Sequence, residues 1–304
     1  MEEYTDKMLS LLEESIRKCV RGQRKVGLIY SSGIDSTLVG VVASKIVPVR
    51  AYNVGVAGSP DAAYARKERD NVSFDVSFIE VSEADIEDAL PVVLKAIGEP
   101  NPLKLAVGIP FYFASKKAKD DGFSVMLCGQ GPDELFGGYS KYLDTLASGG
   151  YPKLESAMRE DAENLRESQL SFDERVCRLN KVTLKFPFMD DDFAGFALSI
   201  PVESKIREAS SNPEYACVDE VSGKRFIRKF ALREAAKKAG VPAGILNRRK
   251  KAAQYGSGVQ KTIEKIARKR GLKTEAEKGG RSDYVRFFVE RMWDEILEEG
   301  KRSA

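Results

Sequence analysis

The residues best suited to chemistry form a short polar turn, Ser31-Ser32-Gly33-Ile34-Asp35-Ser36, between two apolar runs. Small residues let backbone N–H groups approach phosphate oxygens, and the helix predicted to follow directs its positive end to the same point. The hydroxyls of Ser31, Ser32 and Ser36 add donors. Asp35 would repel a phosphate unless it holds a cation such as Mg²⁺ that bridges to the phosphates. The turn predicts binding of a polyphosphate with a metal; a serine-rich turn that caps a helix is the alternative.

A second turn, residues 129–139, reads Gly-Gln-Gly-Pro-Asp-Glu-Leu-Phe-Gly-Gly-Tyr and follows another predicted strand. It contains Asp133 and Glu134, which a plain glycine-rich hairpin would not require. Because ligands of open α/β sheets bind at the carboxyl ends of the strands, we expect Asp35 and Asp133 to share the metal. Neither turn has the Gly-Lys-Ser/Thr of a Walker loop or the three-glycine spacing of a dinucleotide site.

Alternating strands and helices must position these turns. Apolar patterning predicts strands at 26–30, 50–54, 76–81 and 124–128, and helices at 2–21, 38–47, 82–97 and 110–121. This order predicts an α/β fold, a twisted parallel sheet with helices on both faces, over about residues 1–145. A helix-rich part follows over about 146–304, with loops at 187–192 and 247–258. The length fits one large domain or two modest ones, and we expect a single domain, 1–304.

Composition excludes several classes of protein. The 49 Lys and Arg against 46 Asp and Glu give a net charge of +3, which disfavours a nucleic-acid partner. The absence of histidine excludes His-based zinc sites and Ser-His-Asp triads. The four cysteines show no zinc or redox spacing. There is neither a signal-peptide pattern nor an apolar stretch of about 18 residues, so we expect a cytoplasmic protein without membrane contact.

Taken together, five ordered motifs resemble the synthetase domain of the asparagine synthetases. These belong to the N-type ATP pyrophosphatase (PP-loop) superfamily, with its adenine nucleotide alpha hydrolase-like fold. Residues 31–36 match the family's Ser-Gly-Gly-Leu-Asp-Ser, 54–61 its Val-Gly-Leu-x-Gly-Ser-Pro-Asp, and 128–139 its Ser-Gly-Glu-Gly-x-Asp-Glu-Leu-Phe-Gly-Gly-Tyr. Residues 187–190 resemble its Pro-Phe-Leu-Asp, and 229–259 resemble its catalytic-lysine region.

The resemblance implies ATP and Mg²⁺ as cofactors and an amide-forming ligase. In that reaction the side-chain carboxylate of aspartate becomes an acyl-adenylate with release of pyrophosphate, and ammonia then gives asparagine and AMP. By position, the ATP and pyrophosphate site comprises Ser31, Ser32, Gly33, Asp35, Ser36, Val54, Cys128 and Gly129, and the metal ligands are Asp35 and Asp133. Lys250 or Lys251 stabilises charge on the α-phosphate; Lys250 fits the family's Arg-x-Lys spacing from Arg248, and Lys251 fits it from Arg249.

Two departures from the family pattern leave alternatives open. Gln130, a candidate catalytic residue, stands where the family has glutamate, and an amide cannot take a proton from the incoming amine. Either the nucleophile differs from the family's, or phosphate or bulk water serves as the base. Glu134 is a further candidate. Residue 2 is Glu2, where the family's glutamine-hydrolysing domain begins with a nucleophilic cysteine. We therefore expect free ammonia or a separate glutaminase subunit as the nitrogen source. A ligase for another carboxylate, and a non-catalytic nucleotide-binding partner of a glutaminase, are the competing hypotheses; a homodimer is compatible with each.

Overall fold

A five-stranded parallel sheet organises the chain. The computed structural model describes residues 1–211, 213–248 and 256–302. The strands are β1 (Val26–Ile29), β2 (Val49–Gly55), β3 (Asp75–Glu80), β4 (Val125–Leu127) and β5 (Thr183–Lys185), in the order β3-β2-β1-β4-β5. After β1 the next two strands, β2 and β3, are added on one side of β1 within the sheet, while β4 pairs with β1 on its other side. The adjacent ends of β1 and β4 therefore form the topological switch point at which such sheets bind ligands.

Helices cover both faces of this sheet. They are α1 (Glu2–Cys19), α2 (Ile34–Ala43), α3 (Pro60–Glu68), α4 (Glu83–Ile97), α5 (Pro102–Asp120), α6 (Pro132–Phe136), α7 (Lys141–Leu165), α8 (Ser171–Leu179), α9 (Asp191–Ser199), α10 (Val202–Lys205), α11 (Phe230–Ala239), α12 (Ala243–Leu246), α13 (Val259–Lys269), α14 (Leu272–Lys278) and α15 (Tyr284–Arg302). One apolar core contains residues of α1, α2 and α11, and another contains residues of α4, α5, α8, α13 and α15. Within the described ranges, no helix combines the length and apolar character that a membrane span needs.

The predicted α/β fold is confirmed, although two helices begin earlier than the sequence suggested. The helix predicted at 38–47 begins at Ile34, directly after Gly33. The helix predicted from residue 110 begins at Pro102, because the Asn101 side chain accepts hydrogen bonds from the next free backbone N–H groups. Pro110 lies inside this helix, so a proline inside the pattern was mistaken for a start signal.

The second half of the chain holds strands that were not predicted. β5 has three residues, of which only Leu184 is buried, so the strand is too short for a recognisable alternation of apolar and polar residues. A small antiparallel sheet, β6 (Arg207–Glu208), β7 (Asp219–Val221) and β8 (Lys224–Ile227), was also missed. The predicted loop at 187–192 is wrong in its second half, because α9 begins at Asp191. The predicted loop at 247–258 lies largely outside the described residues.

Candidate functional site

The two glycine-bearing turns meet at the carboxyl edge of the sheet. β1 leads through residues 30–33 into α2, and β4 leads through residues 128–131 into α6. At Gly129, an added Cβ would lie 2.6 Å from the Ser36 nitrogen and 2.8 Å from the carbonyl carbon of Asp35. Glycine is therefore required at this position, since the two turns touch through their backbones.

A buried lysine lies between the two predicted metal ligands. The Nζ atom of Lys229 is 2.7 Å from both carboxylate oxygens of Asp35 and 2.8 Å from Oδ1 of Asp133. Lys229 is 2% exposed and adopts a left-handed backbone, with φ of 55°, just before α11. Burial lowers the pKa of Lys229, and the Asp35 carboxylate opposes this effect. The structure thus brings Asp35 and Asp133 together around one cationic group.

Arg248 holds the first turn in shape. Its guanidinium donates to the backbone oxygens of Ser31 and Ser32, both at 3.2 Å, and to Oγ of Ser32 at 2.6 Å. It also pairs with Asp61 at 2.5 Å and lies 4.3 Å from the centre of the Tyr64 ring. Ser32 has a φ of 56°, an uncommon conformation for a residue with a side chain. The contacts of Arg248 compensate for that strain and fix the turn that precedes α2.

We expect Arg248→Lys to weaken ATP binding and turnover. A single ammonium cannot reproduce the guanidinium fork, and each lost hydrogen bond to a charged group costs about 1.5–3 kcal/mol, which corresponds to roughly ten- to a hundredfold in kcat/KM for ATP. Steady-state kinetics with varied ATP would measure the loss. Arg270→Lys is the matched control, because Arg270 makes a similar two-nitrogen contact to Glu87 on the surface. An unchanged kcat/KM for Arg248→Lys would contradict this account of the turn.

A cavity of about 290 Å³ opens beside these groups. Its lining combines the apolar side chains of Leu103, Val107, Phe111 and Leu165 with the polar groups of the two turns, Arg228 and Lys229. The buried Glu134 accepts a 2.6 Å hydrogen bond from the Tyr139 hydroxyl, and burial raises the pKa of Glu134. The lining of the cavity therefore includes both apolar and strongly charged side chains.

Most of the residues selected from the sequence line this cavity: Ser31, Gly33, Asp35, Ser36, Cys128, Gly129, Gln130, Asp133 and Glu134. Ser32 and Val54 are not among the lining residues. The Ser32 hydroxyl also donates to the backbone oxygen of Ser31, and Val54 is a buried β2 residue opposite Ile79. Lys250 and Lys251 lie outside the described residues, so their role remains a prediction.

Neither Lys229 nor Arg228 was expected to contribute to the site. Lys229 is 194 positions from Asp35, and no local pattern connects residues so far apart. Arg228 pairs with Asp219 at 2.7 Å and also contacts the backbone oxygen of Gly138. Their position in the sequence could have indicated them. Lys229 begins the segment 229–259 that resembles the family's catalytic-lysine region, and Arg228 directly precedes it.

A second buried carboxyl, Asp173 on α8, lies behind this site. It has no solvent exposure, and neither carboxylate oxygen makes a well-formed hydrogen bond with a described residue. Burial raises the pKa of Asp173 well above its usual range, against a smaller lowering effect of the Gln130 side chain. Asp173 is therefore protonated more readily in the folded protein than in the unfolded chain.

This predicts that Asp173→Asn stabilises the protein at high pH. The folded state of the wild type retains a proton above pH 3.8 that the unfolded chain releases, so wild-type stability falls as the pH rises through this window. We expect the variant to gain about 1–3 kcal/mol at pH 8 and progressively less towards pH 4. Urea unfolding at both pH values measures the difference. An equal loss of stability at both would show that the carboxyl is needed in its ionised form.

The donor set at the centre fits a magnesium ion. Asp35 and Asp133 already surround a cationic group, and Mg²⁺ is commonly held by one or two carboxylates together with substrate phosphates. In the described part of the chain, no group of three or more acidic or cysteine side chains is placed to hold a metal. The remaining ligands would therefore have to come from water and from a phosphate-bearing substrate.

Comparison with known proteins agrees with this geometry. A family model described as asparagine synthase matches residues 7–153 and 146–303. A protein of Methanocaldococcus jannaschii, named as a proposed glutamine-hydrolysing asparagine synthetase, is 38% identical over 287 residues, which cover 89% of this chain and 52% of that protein. The human glutamine-hydrolysing asparagine synthetase is 26% identical over 269 residues, or 84% of this chain and 44% of its own.

The chain thus spans about half the length of the relatives it matches. Among solved structures, an NMN synthetase from Francisella tularensis superposes with a TM-score of 0.42 at 13% identity, over 95% of this chain and 93% of that one. The family match extends over both halves of the sequence, including both turns and Lys229. The chain therefore belongs to the asparagine synthase family.

Proposed function

We propose that this protein is an ATP-dependent ligase that activates a carboxylate as an acyl-adenylate and then transfers ammonia to it. The observation that carries the proposal is the convergence of Asp35 and Asp133 at the sheet's switch point, beside the N-terminus of α2. Membership of the asparagine synthase family supports it. The polar lining residues would bind the phosphates, and the apolar lining residues would contact a less charged group.

The two turns and the basic residues beside them are suited to bind anions. No described side chain caps the amide groups at the start of α2, so these amides are available to phosphate oxygens. Ser31 and Ser36 line the cavity and offer hydroxyl donors. A magnesium ion held by Asp35 and Asp133 would neutralise phosphate charge when bound. Lys229 and Arg228 add positive charge to the cavity lining.

The proposed chemistry has two steps. A carboxylate oxygen of the substrate attacks the α-phosphorus of ATP, and the bond to the β-phosphate oxygen breaks as pyrophosphate leaves. The ammonia nitrogen then attacks the acyl carbon, AMP leaves, and the nitrogen loses a proton. Gln130 cannot accept that proton; Glu134 lines the cavity, and its raised pKa suits it to this task. Lys250 or Lys251 would stabilise charge on the α-phosphate.

Aspartate is the proposed acyl substrate, and a different carboxylate is the second candidate. The apolar side chains of Leu103, Val107 and Phe111 in the cavity lining favour the second candidate if the adenine does not contact them. Nitrogen would arrive as free ammonia or from a separate glutaminase subunit. These assignments extend the family relationship to a chain that matches about half of its relatives' length.

Exchange of labelled pyrophosphate into ATP tests the first step. The purified protein, Mg²⁺ and ATP would be incubated with one carboxylate at a time, including aspartate, glutamate and apolar amino acids. We expect exchange that depends on one carboxylate and does not require ammonia. Absence of exchange with every carboxylate, at ATP concentrations that saturate binding, would refute adenylation and favour a nucleotide-binding role.

A further inference from the structure

The position of Lys229 bears on how a metal enters the site. Its Nζ atom contacts three carboxylate oxygens, which belong to the same two residues that fit Mg²⁺. An ammonium and a magnesium ion that use the same oxygens repel each other, and the low polarity of a buried site strengthens the repulsion. The lysine and the metal therefore compete for the same carboxylates.

The surrounding backbone holds this arrangement in place. A Cβ atom at Gly138 would lie 2.2 Å from Cε of Lys229 and would overlap the Asp133 carboxylate. The left-handed backbone of Lys229 and its almost complete burial fix the start of its side chain. The contact between lysine and carboxylates is thus a packed part of the site.

Charge balance indicates what would displace the lysine. Asp35, Asp133 and Lys229 together carry a net charge of −1, so a divalent ion alone would leave an excess of positive charge. A triphosphate supplies oxygen ligands for the metal and a new anionic partner for the ammonium. No third acidic ligand is placed to substitute for it among the described residues.

We propose that Lys229 prevents free divalent metal from binding to Asp35 and Asp133. The metal then binds together with the nucleotide, and the ammonium of Lys229 moves to the phosphates. This inference rests on the proposed function for its nucleotide part. Its first consequence, weak binding of metal alone, depends on the lysine and not on the reaction.

Mn²⁺ titration followed by electron paramagnetic resonance tests the proposal. For Lys229→Met we expect Mn²⁺ alone to bind at least about tenfold more tightly than it binds the wild type. Lys205→Met is the matched control, since Lys205 is 3% exposed but belongs to α10 and is not among the residues lining the cavity; it should leave Mn²⁺ affinity unchanged. With α,β-methylene-ATP present, the wild type should gain Mn²⁺ affinity by at least about tenfold and the variant by less.

Equal or weaker binding of Mn²⁺ alone to Lys229→Met would overturn the proposal. If that variant does not fold, wild-type crystals can be soaked with Mn²⁺ alone or with Mn²⁺ and α,β-methylene-ATP, and the metal located by anomalous scattering. We expect Mn²⁺ between the aspartates only when the nucleotide analogue is also present. Mn²⁺ at that position without nucleotide would overturn the proposal. Absence of AMP formation would refute the proposed function, while tighter binding of metal alone to Lys229→Met would still support competition by the lysine.

Discussion

Asp35→Asn and Asp133→Asn are each expected to lower the rate of AMP formation by about a thousandfold or more. Metal-assisted charge stabilisation contributes several kcal/mol to such transition states, and about 4 kcal/mol corresponds to a thousandfold in rate. Each substitution halves the carboxylate set around Lys229. The double variant should be little worse than either single variant, because residues that act as one unit are not additive.

Asp121→Asn is the control for these two variants. Asp121 also pairs with a lysine, Lys117, but it precedes β4 and so lies at the opposite edge of the sheet. We expect its AMP formation to remain within about twofold of the wild type, as is usual for a site away from the chemistry. Circular dichroism and thermal unfolding would establish that all variants fold. A folded Asp35→Asn protein with wild-type turnover would remove this residue from the reaction.

Gly129→Ala should have the second largest effect. The new methyl group would meet the backbone of Ser36 and Asp35 at 2.6–2.8 Å, and backbone atoms cannot move aside as a flexible side chain can. The two turns must separate, which displaces Asp35 relative to Asp133. We expect a destabilisation of about 1–3 kcal/mol and, because misplacement by about 1 Å can cost a hundredfold, a loss of that order in kcat/KM.

Gly195→Ala is the matched control. Gly195 lies inside α9, and a Cβ there would meet nothing within 4 Å. Alanine is favoured over glycine in a helix by about 0.5–1 kcal/mol, so this variant should be slightly stabilised and fully active. Thermal unfolding and steady-state kinetics of the pair separate a local clash from a general effect of adding a methyl group. A fully active Gly129→Ala enzyme would mean that the turns do not need this close approach.

The sequence was sufficient for those parts of the fold that are locally encoded. β1 to β4 have apolar runs of recognisable length, and the start of α4 is marked locally by a capping box between Ser82 and Asp85. β5 and the antiparallel sheet could not be predicted, because their strands have two to four residues and gain their stability from neighbours distant in the chain.

The same limit applies to the site. Asp35 was selected because it lies in a turn with a phosphate-binding pattern, and Asp133 because it lies in a glycine-rich turn after another predicted strand. Lys229 and Arg248 act across separations of 194 and about 216 residues, and their contacts arise only when α11 and the segment after α12 pack against the sheet. Gln130 differs from these two residues, because the motif comparison alone singled it out as a departure from the family pattern. The structure adds a neighbour that the sequence could not indicate, the buried Asp173.

The most direct test of the central claim is which phosphate bond of ATP is broken. Phosphorus NMR of a reaction containing the protein, ATP, Mg²⁺, ammonia and the carboxylate that supports pyrophosphate exchange would identify the products. The account predicts AMP and pyrophosphate in equal amounts, matched by the amide product. Formation of ADP and inorganic phosphate instead would contradict cleavage between the α and β phosphates and the site built around Asp35 and Asp133.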